Sequence, residues 1–388
     1  MLSRRTTWSA PTNRLTRARE AAVASGAELL DLTISNPTRA GIDYPAEALR
    51  DALAAGAAAP YDPEPFGLRS AREALAAELS TPDDPVSPDD LVLTASTSEA
   101  YAFLFKLFAD PGTEIVTHRP SYPLLDHLAE LEGVALRRFP LDFHGARWEV
   151  EPFAAGSSIG DRTRAVVVIH PNNPTGSYLR DHELTTLLSI LAPRRIPLIA
   201  DEVFFDYTLD PSARPSRCRS DGEALVLSLG GLSKSCGLPH WKLGWIRISG
   251  PDAARHDVLR GLELIADTYL SVATPVQASL GPILEAGREI RARITARVRE
   301  NWTRLRDRFQ PPSPISLLPA EGGWSAVLRV PLRESEEETA IALLERERVV
   351  VHPGYLFDFA TEGLLVVSLL TPPDTLHDGL TRIERALV

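Results

Sequence analysis

Between residues 90 and 250 short apolar runs alternate with amphipathic stretches, and this alternation restricts the fold more than any other feature of the chain. Asp89–Thr94, Glu114–Thr117, Arg164–Ile169, Pro197–Ala200 and Ala224–Leu229 read as strands. Glu99–Phe108, Leu124–Glu132 and Glu183–Leu191 read as helices between them. Arg164-Ala-Val-Val-Val-Ile169 is apolar without a break, as a strand covered on both faces must be. Strand, helix, strand in this order predicts an α/β fold: a largely parallel sheet with helices on both faces. In such sheets ligands bind beyond the carboxyl ends of the strands. Ser96, Thr97, Ser98, Asn173, Asp201 and Lys234 all fall just after predicted strands.

The flanking sequence reads as a second, smaller α+β unit. Residues 14–26 place Leu15, Ala18, Ala21 and Ala22 on one helical face, and Glu28–Ile34 alternates like a strand before the turn Ser35-Asn-Pro-Thr38. Pro45–Ala58 and Leu68–Leu75 read as helices around the loop Tyr61-Asp-Pro-Glu-Pro-Phe-Gly67. After Gly250 the chain turns helical. Gly287–Phe309 is rich in arginine with acids and apolars interleaved, which predicts a solvated connecting helix. Strands near Ser325–Val330 and Leu364–Leu369, with helices near Glu336–Glu347 and Asp374–Leu387, complete the pattern. We expect a large domain over residues 40–283, and a small one built from 1–39 and 284–388; 388 residues suffice for both.

The chemistry centres on Ser228-Leu-Gly-Gly-Leu-Ser-Lys234-Ser-Cys-Gly-Leu-Pro-His-Trp-Lys242-Leu-Gly-Trp245. A lysine at a strand end, packed by small residues, loses solvent and lowers its pKa, which makes a usable amine nucleophile. Ser96-Thr97-Ser98, between a strand and a helix, suits an anion at the helix N-terminus; the same hydroxyls serve equally well as N-caps. The net charge of -11 argues against a nucleic-acid or anionic-membrane partner. Cys218 and Cys236 make neither a disulfide framework nor a metal-ligand spacing, and a reducing cytosol is the expected setting. No apolar run is long enough to span a bilayer. Arg4-Arg5 precedes Thr6–Pro11, which contains no apolar leader core, so a plain cytosolic start is expected.

Taken together and in order, Tyr61…Gly67, Ser96-Thr-Ser-Glu99, Pro120-Ser-Tyr-Pro123, Asn173-Pro-Thr-Gly176, Asp201-Glu-Val203 and Ser233-Lys234…Lys242-Leu-Gly244 resemble the class I/II aminotransferases. These are fold-type-I enzymes that use pyridoxal 5′-phosphate. The resemblance runs from about residue 15 to the C-terminus and implies a role for each matching residue. Lys234 would form the Schiff base with the cofactor and shuttle the proton. Asp201 would pair with the pyridine nitrogen, which keeps the ring an electron sink. Asn173 would donate to the cofactor's 3-oxygen, and Tyr122 would stack on the ring. Ser96, Thr97 and Ser98 would hold the phosphate, Lys242 would add a cation there, and Ser233 would bind the cofactor. Tyr61 would reach the site of a second subunit, implying a homodimer with shared sites.

Three positions depart from the family pattern. Lys242 stands where an arginine is usual, so it would hold phosphate as a point charge without a fork. Phe204 stands where a tyrosine usually donates to the 3-oxygen, leaving that bond to Asn173. Val366 stands where an arginine usually grips the substrate carboxylate. Either another cation serves, with Arg119 and Arg17 as candidates and Arg329 and Arg382 in flanking segments, or the substrate lacks a conventional carboxylate. The resemblance implies an aminotransferase acting on an amino acid and a 2-oxo acid. A lyase or synthase on the same scaffold is the alternative, and a non-catalytic regulator that senses the cofactor is a more distant one.

Overall fold

The computed structural model describes residues 3–6 and 13–388. Residues 7–12, which follow Arg4-Arg5, lie outside that range. Among the described residues an eight-stranded sheet runs in the order Leu91–Thr94, Gly244–Ser249, Val226–Gly231, Leu198–Asp201, Thr163–Ile169, Glu114–Arg119, Ala135–Phe143, Trp148–Val150. Five neighbouring strands, from Val226–Gly231 to Ala135–Phe143, are parallel; the outer pairings are antiparallel.

Successive residues of a strand face opposite sides, and here both sides are covered. Ala165, Val167 and Ile199 pack with the helices Thr97–Phe108 and Asp252–Tyr269 on one face. Val166, Val168, Leu198 and Ala200 pack with Asp181–Leu191 on the other. That is the physical origin of the unbroken apolar runs. Truncating Leu198 or Ile199 to alanine would cost about 2–5 kcal/mol.

A second sheet runs in the order Ser316–Leu317, Ser325–Arg329, Leu364–Ser368, His352–Pro353, all antiparallel. The helices Glu336–Glu347 and Pro373–Leu387 belong to the same half of the chain. Leu30–Asp31 pairs parallel with Val349–Val350 and so ties the N-terminal segment to this half.

The helix Leu280–Arg308 runs the length between the two sheets in sequence. At its Gly287 a side chain would collide with Cys236, whose Sγ lies 2.4 Å from where a Cβ would sit. The glycine permits the helix to press against the segment that carries Lys234.

Two expectations need correction. Glu28–Ile34 is not one long strand; only Leu30–Asp31 enters a ladder. The Asp31 carboxylate accepts bonds from the backbone N–H and hydroxyl of Thr33, and this local turn bends the chain away. The arginine-rich helix is no mere solvated face. Arg291 pairs with Glu78 at 3.0 Å, Arg297 donates to the carbonyl of Ala40 at 3.0 Å, and Arg299 donates to the carbonyl of Thr208 at 2.8 Å. It is a spine that ties distant loops together.

Candidate active site

The site begins where two parallel strands stop. Asp201 is the last residue of Leu198–Asp201, and its carboxylate is buried. Oδ1 accepts from the Val203 N–H and Oδ2 accepts from the Tyr101 hydroxyl, both at 3.0 Å. Burial pushes this carboxyl up, and the bonds from Val203 and Tyr101 and the nearby Lys234 offset only part of that. Among the described residues no arginine pairs with it. A buried carboxylate so incompletely met is costly unless a ligand completes it.

Next to it, Val226–Gly231 runs straight into the one-turn helix Leu232–Ser235, whose third residue is Lys234. Lys234 Nζ lies 3.4 Å from the carbonyl of Ser35, 5.0 Å from the ring centre of Trp324 and 5.6 Å from that of Phe204. Burial lowers its pKa from 10.5 to about 8, against a smaller opposing pull from Asp201. The amine is therefore neutral in a substantial fraction of molecules near pH 8, as a nucleophile must be.

Lys234 and Asp201 share one cleft of about 270 Å³. Thr97 and Ser98 line it from the first turn of the helix Thr97–Phe108, where the helix dipole favours an anion. Ser96 does not line it; its hydroxyl accepts from the Glu99 N–H at 3.2 Å and caps the helix. The cap is made by Ser96, while Thr97 and Ser98 face the cleft. Close approach here depends on Gly244: a Cβ would sit 3.0 Å from the Ser96 carbonyl carbon and 3.1 Å from the Thr97 nitrogen.

Ser233, Asn173, Phe204 and Tyr122 also line the cleft. Asn173 Oδ1 accepts from the Ser325 hydroxyl at 3.1 Å, so a residue of the second sheet fixes an amide of the first. Phe204 packs edge-on against Trp324, and Tyr122 stands 48% exposed at the mouth.

Other expected residues lie elsewhere. Lys242 is exposed, in left-handed backbone after the turn Pro239–Trp241, and does not line the cleft. Tyr61 is 70% exposed and lies with Leu270 beside a separate depression. Val366 is buried in its strand opposite Val327 and beside His352. Arg17, Arg119 and Arg329 are exposed, Arg382 donates to the Glu347 carbonyl, and none of the four lines the cleft.

Several functional neighbours carry no sequence mark of their own. Tyr101 had one available signal: it follows Thr97 by four residues, which puts both on one helical face. Trp324, Ser325 and the carbonyl of Ser35 had none. Their place depends on how the second half of the molecule seats on the first. His170, Glu202 and Cys218, distant in sequence, bring ligand-type atoms within 4.8 Å. These groups are already spoken for: His170 Nδ1 accepts from Leu179 N–H, its Nε2 donates to the Ser216 carbonyl, and Glu202 accepts from Cys218 N–H and Arg217.

The cleft suits pyridoxal phosphate on its own chemistry. It offers a hydroxyl-lined helix N-terminus for a dianion, a buried carboxylate that no arginine among the described residues meets for a ring N–H, and a desolvated amine for a carbonyl carbon.

Comparison with known proteins agrees. Residues 27–383 match the family described as aminotransferase class I and II. The tyrosine aminotransferase of Bos taurus is 30% identical over 262 residues, which cover 66% of this chain and 58% of that protein. The chain thus matches little more than half the length of that relative. The alanine aminotransferase of Mycobacterium tuberculosis is 28% identical over 364 residues, covering 89% and 82%. The solved structure of an alanine aminotransferase from Pyrococcus furiosus has a TM-score of 0.85 at 24% identity, covering 100% of this chain and 99% of that one, which establishes the same fold.

Proposed function

Because this chain belongs to the class I and II aminotransferases, a pyridoxal-phosphate-dependent family, we propose that it moves an amino group between an amino acid and a 2-oxo acid, with Lys234 as the cofactor's covalent anchor. The observation that carries this reading is the pairing, in one cleft, of an amine lowered to about 8 with a buried carboxylate that, among the described residues, no arginine meets.

When bound, the cofactor supplies the electron sink for the charge left as the substrate's α-proton departs. The protein's residues do the rest. Lys234 Nζ would be the base that takes the α-proton, and burial lowers its pKa to about 8, which eases that role. Asp201 would hold the ring nitrogen protonated, with its carboxylate kept in place by the Tyr101 hydroxyl. Asn173, whose Oδ1 accepts from Ser325, would donate to the cofactor's 3-oxygen. Thr97, Ser98 and Ser233 would hold the phosphate near the helix N-terminus. Tyr122 would cover one face of the ring.

We further infer a homodimer. Tyr61, Tyr269 and Leu270 are large apolar residues that a monomer would leave in water, and Tyr61 and Leu270 flank one depression. In such a dimer Tyr61 would serve the second subunit's site. No helix among the described residues is long and apolar enough to cross a membrane, and both cysteines are buried free thiols, which fits work in the reducing cytosol.

The test is direct. Purified protein loaded with pyridoxal phosphate should convert an amino acid to its 2-oxo acid and, in the second half-reaction, aminate an added 2-oxo acid. Release of ammonia in place of amino transfer would contradict the reading.

A further inference from the structure

In the proposed reaction Lys234 Nζ alternates between two charge states. Taking the α-proton breaks a C–H bond, leaves its electron pair with the substrate, and forms an N–H bond that turns the neutral amine into an ammonium. An ammonium that burial has stripped of water needs a partner. Among the described residues the cleft lining holds one carboxylate, that of Asp201, and the reaction proposed above commits it to the ring nitrogen. The structure offers other partners. Nζ lies 5.0 Å from the ring centre of Trp324, 5.6 Å from that of Phe204 and 3.4 Å from the Ser35 carbonyl. Both ring distances fall within cation–π range, and indole is the strongest of the aromatic faces.

The fold holds these groups in place independently of the amine. Trp324 is buried, edge-on to Phe204 at 5.3 Å and to Tyr207 at 5.0 Å. Leu369 N–H donates to the Trp324 carbonyl at 2.7 Å, and the neighbouring Ser368 hydroxyl donates to the carbonyl of Ile34, one residue before Ser35. The end of the strand Leu364–Ser368 thus fixes both the indole and the segment that carries the Ser35 carbonyl. Tyr207 closes the frame. Its carbonyl accepts from Gly323 N–H at 2.9 Å, and its hydroxyl donates to the backbone carbonyl of Lys234 itself. We propose that Trp324, Phe204 and the Ser35 carbonyl form a seat for the Lys234 ammonium, holding the proton between its removal from the substrate and its return, with Trp324 as a positioning residue for the base. The use of the seat rests on the aminotransferase reading above; the contacts that build it belong to the chain alone.

The experiment reads the amine without the cofactor. In the cofactor-free full chain the initial rate of acylation at Lys234, located by peptide mass mapping, is followed against pH. Asp201, the charged group that acts on Nζ, is kept in every variant. Trp324→Leu leaves the site apolar and removes the nearer aromatic face. The midpoint near 8 should then fall by about one pH unit, and Trp324→Phe should recover most of that drop. Phe204→Leu should lower the midpoint by a smaller amount, and it carries the test if Trp324→Leu fails to fold in a thermal melt. A midpoint that holds or rises in whichever leucine variant folds would overturn the seat, since a merely structural loss admits water and pushes the amine up. Borohydride trapping of pyridoxal phosphate on the wild-type protein separates the two readings. With the label on Lys234, the aminotransferase reading survives a failed seat; without it, that reading fails whatever the midpoints show.

Discussion

Two cavities of similar size lie on either side of one strand end, and they treat charge in opposite ways. The cleft of about 270 Å³ holds Lys234 and Asp201; a second cavity of about 290 Å³ is lined by Glu202, Ser235, Asp206, Arg217, Glu78 and Arg291. Asp201 belongs to one and Glu202 to the other, as neighbours in extended backbone must face apart. In the second cavity every carboxylate meets an arginine. Arg217 pairs with Glu202 at 2.9 Å and with Asp206 at 3.1 Å, and Arg291 reaches both Glu78 and Asp206. Burial pushes Glu78 up, yet the bonds from Arg288 and Arg291 outweigh it and hold the carboxyl below its usual range. In the cleft no such closure exists. Paired buried charge builds the scaffold; unpaired buried charge, a few ångströms away, is left for a ligand to complete.

That contrast can be broken at either side. The largest effect is expected for Lys234→Ala, which removes anchor and base together: amino transfer should fall by about 10⁴-fold or more while the melting temperature holds. Asp201→Asn should cost about 10²–10³-fold in turnover, read alongside a shifted cofactor spectrum. Arg217→Ala should do the reverse. It leaves Glu202 buried without its cation, so denaturant unfolding should show a loss of about 3–5 kcal/mol while the folded fraction turns over near the wild-type rate.

The pH behaviour sharpens the same point. Folded Lys234 binds its proton less tightly than unfolded Lys234, so between about 8 and 10.5 the unfolded chain holds more protons and the cofactor-free protein gains stability as pH rises. Lys234→Met should remove that rise. Acylation of the Lys234 amine in the cofactor-free protein should titrate with a midpoint near 8, well under that of an ordinary lysine. The smallest effect belongs to Ser325→Ala, which frees the Asn173 amide: turnover should drop about threefold to tenfold, the pH midpoint of the cofactor absorbance should move up, and Ser325→Thr should restore both.

What could be read in advance follows from the same physics. The parallel core was legible because two covered faces demand unbroken apolar runs. Ala135–Phe143 escaped notice because its arginines and Pro140 interrupt any such run. Gly244–Ser249 did too, since its Arg247 is a buried residue whose charge is met by Asp84 at 2.5 and 2.7 Å. Lys234, Asp201 and Asn173 stood out through their position after strands. Lys242 was legible only through its spacing from Lys234, and the structure sets it exposed in left-handed backbone after the turn Pro239–Trp241. Trp324 and Ser325 were invisible: they reach the cleft from a sheet that begins more than eighty residues downstream of Lys234.

The central claim is that one amine, Lys234, carries the cofactor. The chain has three lysines, Lys106, Lys234 and Lys242, so the anchor can be identified without ambiguity. Borohydride reduction of the protein after loading with pyridoxal phosphate, followed by peptide mass mapping, should place the label on Lys234. A label on Lys106 or Lys242, or on none of the three, would contradict the account.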